Sequence, residues 1–240
     1  METSLTPRQL MARITSFAAA TAFIWLAYFW WRPAGPMLNL HHIEHLPISS
    51  NQVCMTFDDA PHPLTTPLLL AALKSSDIKG TFFCVGNNLV LYPELAHRMV
   101  LEGHRLGNHS QYHHNLTTVT PAEFSHEVQT CFDEIARAGE TAPPTLLFRP
   151  PGGGLNRPEM TYLYKHRVTL GWWSNNVGDY AQPKAWVIAN MVDGNMRSGD
   201  ILLLHDELTS TPKAISLIAR NAEKKGWKFV PMPESIPSLH

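Results

Sequence analysis

The sequence lacks an excess of either charge. Its 19 Lys and Arg nearly cancel its 20 Asp and Glu over 240 residues, so no strong field of one sign is available to gather nucleic acid or another polyanion, and a neutral partner is expected. It also lacks paired cysteines. Cys54, Cys84 and Cys131 are the only three, and their spacing excludes zinc knuckles and redox dithiols. Cys54 and Cys84 sit in apolar runs and read as small buried hydrophobes, with a disulfide left open for an exported domain. No fine-scale internal repeat or low-complexity tract is present. The length and a 44% hydrophobic share suit one domain with a single large core.

A third lack is local. From Ile14 to Trp31 the chain reads ITSFAAATAFIWLAYFWW, with no charge, between Arg8 and Arg13 on one side and Arg32 on the other. That run is long enough to span a bilayer. Arginines ahead of it favour a cytoplasmic amino terminus, and the closing aromatics suit a membrane interface. A single-pass signal anchor over 1–32 is therefore expected, then a linker over 33–50 and an extracytoplasmic domain over 51–235. A cleaved signal peptide and secretion is the alternative, but small residues in an AxA arrangement are missing after the apolar stretch. A buried first helix is disfavoured because the run has no polar face.

What is present after residue 50 is an alternation. Short apolar runs at 53–57, 81–85, 104–108, 146–149, 169–174, 201–205 and 228–230 read as seven strands. Between them lie helix signals, the clearest being Thr120-Pro121-Ala122-Glu123, a capping box with proline at the first helical position. A second helix starts at Thr211-Pro212 and stops at Gly226. Strands apolar on both faces and separated by helices imply a parallel sheet covered on both sides, as a barrel or an open wound sheet. Asp58 and Asp59, His109, Arg149 and His205 all fall at carboxyl ends of different strands, where barrel active sites are built.

Thirteen histidines raise the odds of a metal site, and three segments narrow it. TFDDAPHP (56–63) puts two carboxylates at a strand exit. Both can serve one site only if the chain turns there, which Ala60-Pro61 would allow. In HSQYHH (109–114), His109 and His113 are four apart, which on a helical turn brings both rings to one side, with His114 as a less well spaced alternative. With Asp59 they make three ligands and leave a position open for water. FRPPGGG (148–154) joins Arg149 to glycines able to bring backbone N–H groups near a substrate oxygen. GDILLLHD (199–206) delivers His205 as a candidate general acid. Taken singly these segments also read as a turn, a pair of capping histidines, a flexible loop and a core histidine.

Together and in order, with NNVGDY (175–180), these segments resemble the polysaccharide deacetylases of carbohydrate esterase family four, the NodB-like group, over residues 51–232. The resemblance implies a distorted (β/α)7 barrel and a divalent metal ion, Zn2+ first and Co2+ or Ni2+ as alternatives. It implies Asp59, His109 and His113 as ligands, Asp58 as general base positioned by Arg149, and an oxyanion contact from the Gly152 N–H. His205 would be the acid oriented by Asp179, and Leu203 would line the acetyl pocket. The implied reaction is removal of N-acetyl groups from a carbohydrate polymer such as peptidoglycan or a chitin-like glycan. Smaller amides, O-acetyl esters, or a tethered glycan-binding protein without turnover are the alternatives. The sequence departs from the family pattern at Ala60, a usual glycine, at Gly152, a usual aromatic and commonly tyrosine, and at Asn176 and Tyr180, a usual aspartate and tryptophan. These changes bear on substrate shape more than on the metal.

Overall fold

The computed structural model describes residues 40–46, 51–139, 146–181 and 184–233. The expected anchor over 1–32 lies outside them, and among the described residues no helix is long and apolar enough to cross a membrane. Nine strands are present among the described residues: β1 His42–Ile43, β2 Gln52–Ala60, β3 Thr81–Cys84, β4 Arg105–Asn108, β5 Leu147–Phe148, β6 Thr169–Gly171, β7 Asn175–Asn176, β8 Ile201–His205 and β9 Lys228–Phe229. Seven α-helices accompany them among the described residues: α1 Thr66–Ser75, α2 Gly86–Leu91, α3 Pro93–Leu101, α4 Pro121–Arg137, α5 Arg157–Lys165, α6 Ala185–Asn195 and α7 Thr211–Lys224. The expected capping box opens α4, with the Thr120 side chain and Glu123 satisfying each other's backbone N–H.

Every strand pairing is parallel, in the order β1-β6-β5-β4-β3-β2-β8-β7, with β9 on β2. The sheet curls into a half-barrel but does not close by a ladder, because its edge strands β1 and β7 are not paired. The run 169–174, expected as one strand, breaks after Gly171. Its backbone then bridges the gap, Trp172 N–H donating to Ile43 O (2.8 Å) and Ser174 N–H to Ile201 O (3.1 Å). Part of the expected linker is built into the fold as well: β1 pairs with β6, and Leu40, Ile43 and Leu46 are buried.

Period-two alternation sorts side chains into two layers. Val53, Met55, Phe57, Phe82, Leu106, Phe148, Leu202 and Leu204 face the helices, where Leu69, Leu70, Phe124, Val128, Ile188 and Ile215 meet them in one large core. Cys54, Phe83, Leu147 and Ile201 point into the half-barrel, joined by Ile43, Leu46 and Met232 in a second cluster. The Phe83 ring takes the space left by two glycines. A Cβ on Gly107 would come within 2.8 Å of that ring and one on Gly171 within 2.5 Å, so neither position accepts a side chain without displacing it. Cys54, Cys84 and Cys131 are free and buried, and burial pushes the Cys54 thiol up to about 12, which keeps it un-ionised and unreactive.

Candidate active site

The inward-facing positions one step further along the strands are polar, and they converge at the carboxyl end of the sheet. Thr56 and Asp58 of β2 pair in register with Leu203 and His205 of β8. His109 and Arg149 directly follow β4 and β5. A β-bulge lets both aspartates serve one site. Phe57 pairs with Phe82 and Ala60 with Cys84, so three steps on β2 oppose two on β3. Asp59 is the residue that takes up the difference, at φ +68°, and a cis Ala60-Pro61 bond follows. The strand therefore continues through Ala60, and the re-aiming occurs within it rather than at the turn expected there.

His109 and His113 come together without a helix. The loop after β4 doubles back through left-handed residues at Ser110 (φ +65°) and His113 (φ +58°), which brings the two ring centroids to 5.1 Å. His109 Nδ1 lies 2.8 Å from Arg149 O. Donation there makes Nε2 the free electron pair, 3.6 Å from Asp59 Oδ1 and 3.7 Å from Asp58 Oδ2. His113 Nε2 sits 3.0 Å from Asp59 Oδ1. One donor atom from each of Asp59, His109 and His113 can be chosen with all three within 4.8 Å of one another. Two imidazole nitrogens and a carboxylate oxygen converging in this way fit a zinc-type cation. His114, the alternative ligand, is turned away, its Nδ1 2.7 Å from Glu127 Oε1 on α4.

The charges explain one another. Burial works to raise the Asp59 carboxyl, but the His113 hydrogen bond and the fields of His109, His113 and His205 outweigh it and hold it below the usual carboxylate range. His109 is pushed down by burial, against the pull of Asp58 and Asp59, so its ring is neutral, as a ligand's must be. His205 is drawn down by burial, yet the hydrogen bond and charge of Asp179, with Asp58 and Asp59 beyond, raise it overall.

Two side chains hold the reactive groups from behind. Arg149, fully buried, donates from Nη1 to Asp58 Oδ1 (2.7 Å) and Thr56 Oγ1 (2.9 Å), from Nε to Gly171 O (2.7 Å) and from Nη2 to Trp172 O (3.0 Å). Its guanidinium lies 3.9 Å over the Phe83 ring. Asp179 accepts from His205 Nδ1 and from the His205 backbone N–H, both at 2.8 Å, and from Thr211 Oγ1 at 3.1 Å. That leaves His205 Nε2 facing the site. Leu203 is buried two residues before His205 and on the same face. Gly152, at φ +64° with nothing within 4 Å of where a Cβ would stand, shares a cleft of about 440 Å³ with His113, Asn115, Thr117, Pro151 and Gly154.

Thr56, Glu127 and Asp206, not among the residues expected from the sequence, also brace the site. Thr56 Oγ1 accepts from Arg149 while donating to Leu202 O (2.6 Å). Asp206 Oδ2 accepts from His62 N–H (3.1 Å) and from Thr66 Oγ1, bracing the segment that follows Asp59; burial pushes its carboxyl up to about 7. Glu127 carried a readable signal, a carboxylate on the apolar stripe of α4 among Phe124, Val128 and Cys131.

The polysaccharide deacetylase profile matches residues 47–170. The chain is 30% identical over 203 residues to a peptidoglycan-N-acetylglucosamine deacetylase of Bacillus cereus, covering 81% of this chain and 92% of that one. It is 32% identical over 199 residues to a chitooligosaccharide deacetylase of Bradyrhizobium, covering 77% and 90%. Among solved structures, a peptidoglycan N-acetylglucosamine deacetylase in complex with an N-hydroxybenzamide superposes with a TM-score of 0.78 at 28% identity, over 86% of this chain and 97% of the other.

Proposed function

Because the chain belongs to the polysaccharide deacetylase family, we propose that it is a metal-dependent hydrolase removing N-acetyl groups from an N-acetylhexosamine polymer, peptidoglycan or a chitin-like glycan. One observation carries the reading: a buried carboxylate held by Arg149 and an imidazole held by Asp179 stand on adjacent strands beside three converging metal donors. A purely glycan-binding protein has no use for a base and an acid fixed in this way.

Asp59, His109 and His113 would hold the ion, Zn2+ in the first instance, and it would supply Lewis-acid polarisation of the acyl carbonyl and acidify water. The remaining work belongs to the chain. Arg149 ties up Asp58 Oδ1 and so aims Oδ2 into the site, where it accepts a proton from water as the water oxygen bonds to the acyl carbon. Gly152 lines a cleft together with His113, and its N–H would be the oxyanion donor. Breaking the C–N bond leaves an amine that takes its proton from His205 Nε2, with Asp179 fixing the ring through Nδ1. Leu203 borders the acetyl methyl. The products are acetate and an amino sugar. The cleft at Gly152, open where a side chain would stand, suits a polymer bearing a bulky substituent on that side.

We further propose that the uncharged run 14–31 anchors the chain in the cytoplasmic membrane with the domain outside. The described fold begins at Leu40, ahead of the amino end of β1, the end of the parallel sheet opposite the site. The deciding experiment measures acetate released from N-acetylglucosamine oligomers and from peptidoglycan, before and after chelation and after Zn2+ is restored. Release abolished by chelator and recovered with Zn2+ is expected. Release unaffected by complete metal removal would overturn the mechanism, and no release from any acylated substrate would return the glycan-binding reading.

A further inference from the structure

The two histidines of the donor cluster are held very differently. His109 is buried and its Nδ1 is tied to Arg149 O. The His113 side chain is 45% exposed, and among the described residues its ring has no hydrogen bond besides that to Asp59. Its position is set by the loop that carries it, which follows β4 with no ladder of its own and passes through two left-handed residues.

One side chain gathers that loop. Glu127, 4% exposed on the inner face of α4, accepts the backbone N–H groups of both Gln111 and Tyr112 on Oε2, each at 2.9 Å. Its Oε1 accepts from His114 Nδ1 at 2.7 Å. The bonded residues flank His113 on both sides. Smaller braces complete the arrangement: Ser110 Oγ accepts the His113 N–H at 3.0 Å, and Asn108 Oδ1 accepts the Ser110 N–H at 2.8 Å. A carboxylate is buried at this depth only when its oxygens are satisfied, so carboxylate and loop require each other.

We propose that Glu127 is a positioning residue for the metal, holding His113 in its ligating place by pinning the two backbone N–H groups just before it and the His114 ring just after it. The inference rests on the reading that Asp59, His109 and His113 hold a cation. The acceptor geometry is what matters. Glu127→Gln keeps one oxygen for the two backbone N–H groups and offers an NH2 to the other tautomer of His114, whereas Glu127→Ala offers nothing. Glu127→Asp keeps the charge but withdraws both oxygens by one methylene.

The test is the Zn2+ dissociation constant of the metal-free full chain, measured by competition with a chromophoric chelator, alongside the thermal midpoint of each metal-free protein. Glu127→Ala is expected to weaken Zn2+ binding by ~10–100-fold, the range found when a ligand's outer support is removed. Glu127→Asp should weaken it similarly and Glu127→Gln by less, while His114→Ala, which leaves both backbone bonds in place, should stay within ~3-fold of the parent. Should Glu127→Ala not fold, the Asp and Gln variants carry the comparison. A lowered thermal midpoint with an unchanged Zn2+ constant in the Ala and Asp variants would overturn the proposal and leave Glu127 purely structural. A parent protein that binds no Zn2+ would instead overturn the metal reading itself.

Discussion

Replacing Arg149 by methionine tests the centre of the site most severely. The substitution roughly preserves volume, so packing against Phe83 changes little. It removes a charge and four hydrogen bonds, to Asp58, Thr56, Gly171 O and Trp172 O. Asp58, only 5% exposed, becomes a buried carboxylate without its cation, and the two carbonyls lose their donor where the sheet stops pairing. Removing one partner of a buried ion pair costs about 3–5 kcal/mol. For a domain of this size each kcal/mol moves the thermal midpoint by about 2–4 °C, so a fall of ~6–20 °C is expected. The measurement belongs in chelator, where no cation compensates Asp58. Repeating it in Asp58→Asn separates charge from hydrogen bonding: with the carboxylate neutral, Arg149→Met should cost ~1–3 kcal/mol less. Strict additivity of the two substitutions, or an Arg149→Met midpoint within a degree or two of the parent, would refute the pairing as the source of the stability.

Asp58→Asn should leave Zn2+ bound and lower turnover by ~100-fold or more; loss of the metal would show that the base and ligand roles of Asp58 and Asp59 are reversed. His113→Ala should strip Zn2+ from the protein under dialysis, and an unchanged metal content would mean that His113 is not a ligand. Asp206 gives a pH signature. Its carboxyl keeps a proton up to about 7 in the folded chain and releases it near ~3.9 when unfolded. Between those values the folded state binds more protons, so this residue makes stability fall as pH rises, by at most ~4 kcal/mol across the window. Asp206→Asn lacks that dependence. In urea unfolding its stability relative to the parent should therefore improve steadily from pH 4 to pH 7 and level off above, and a difference that is constant with pH would sink the assignment.

Strand positions were legible because both-face burial leaves unbroken apolar runs, and VCMTF and ILLLH lie within β2 and β8. The run at 169–174 misled for the same reason: hydrophobicity marks burial, and Trp172 and Trp173 cross the open seam of the half-barrel without joining a ladder. Residues 40–46 escaped because a two-residue edge strand carries no period.

The residues of the site and their order along the chain were set in the sequence alone, since a strand followed by a helix delivers its last polar side chains to the carboxyl edge of a parallel sheet. What tertiary structure decided is which way each of them points. The bulge at Asp58 and Asp59, the doubled-back loop at His113 and the turning of His114 toward Glu127 all depend on partners 13 or more residues away. Spacing along a chain cannot encode such choices: a left-handed residue or an extra step in a strand persists only where distant donors and acceptors hold it.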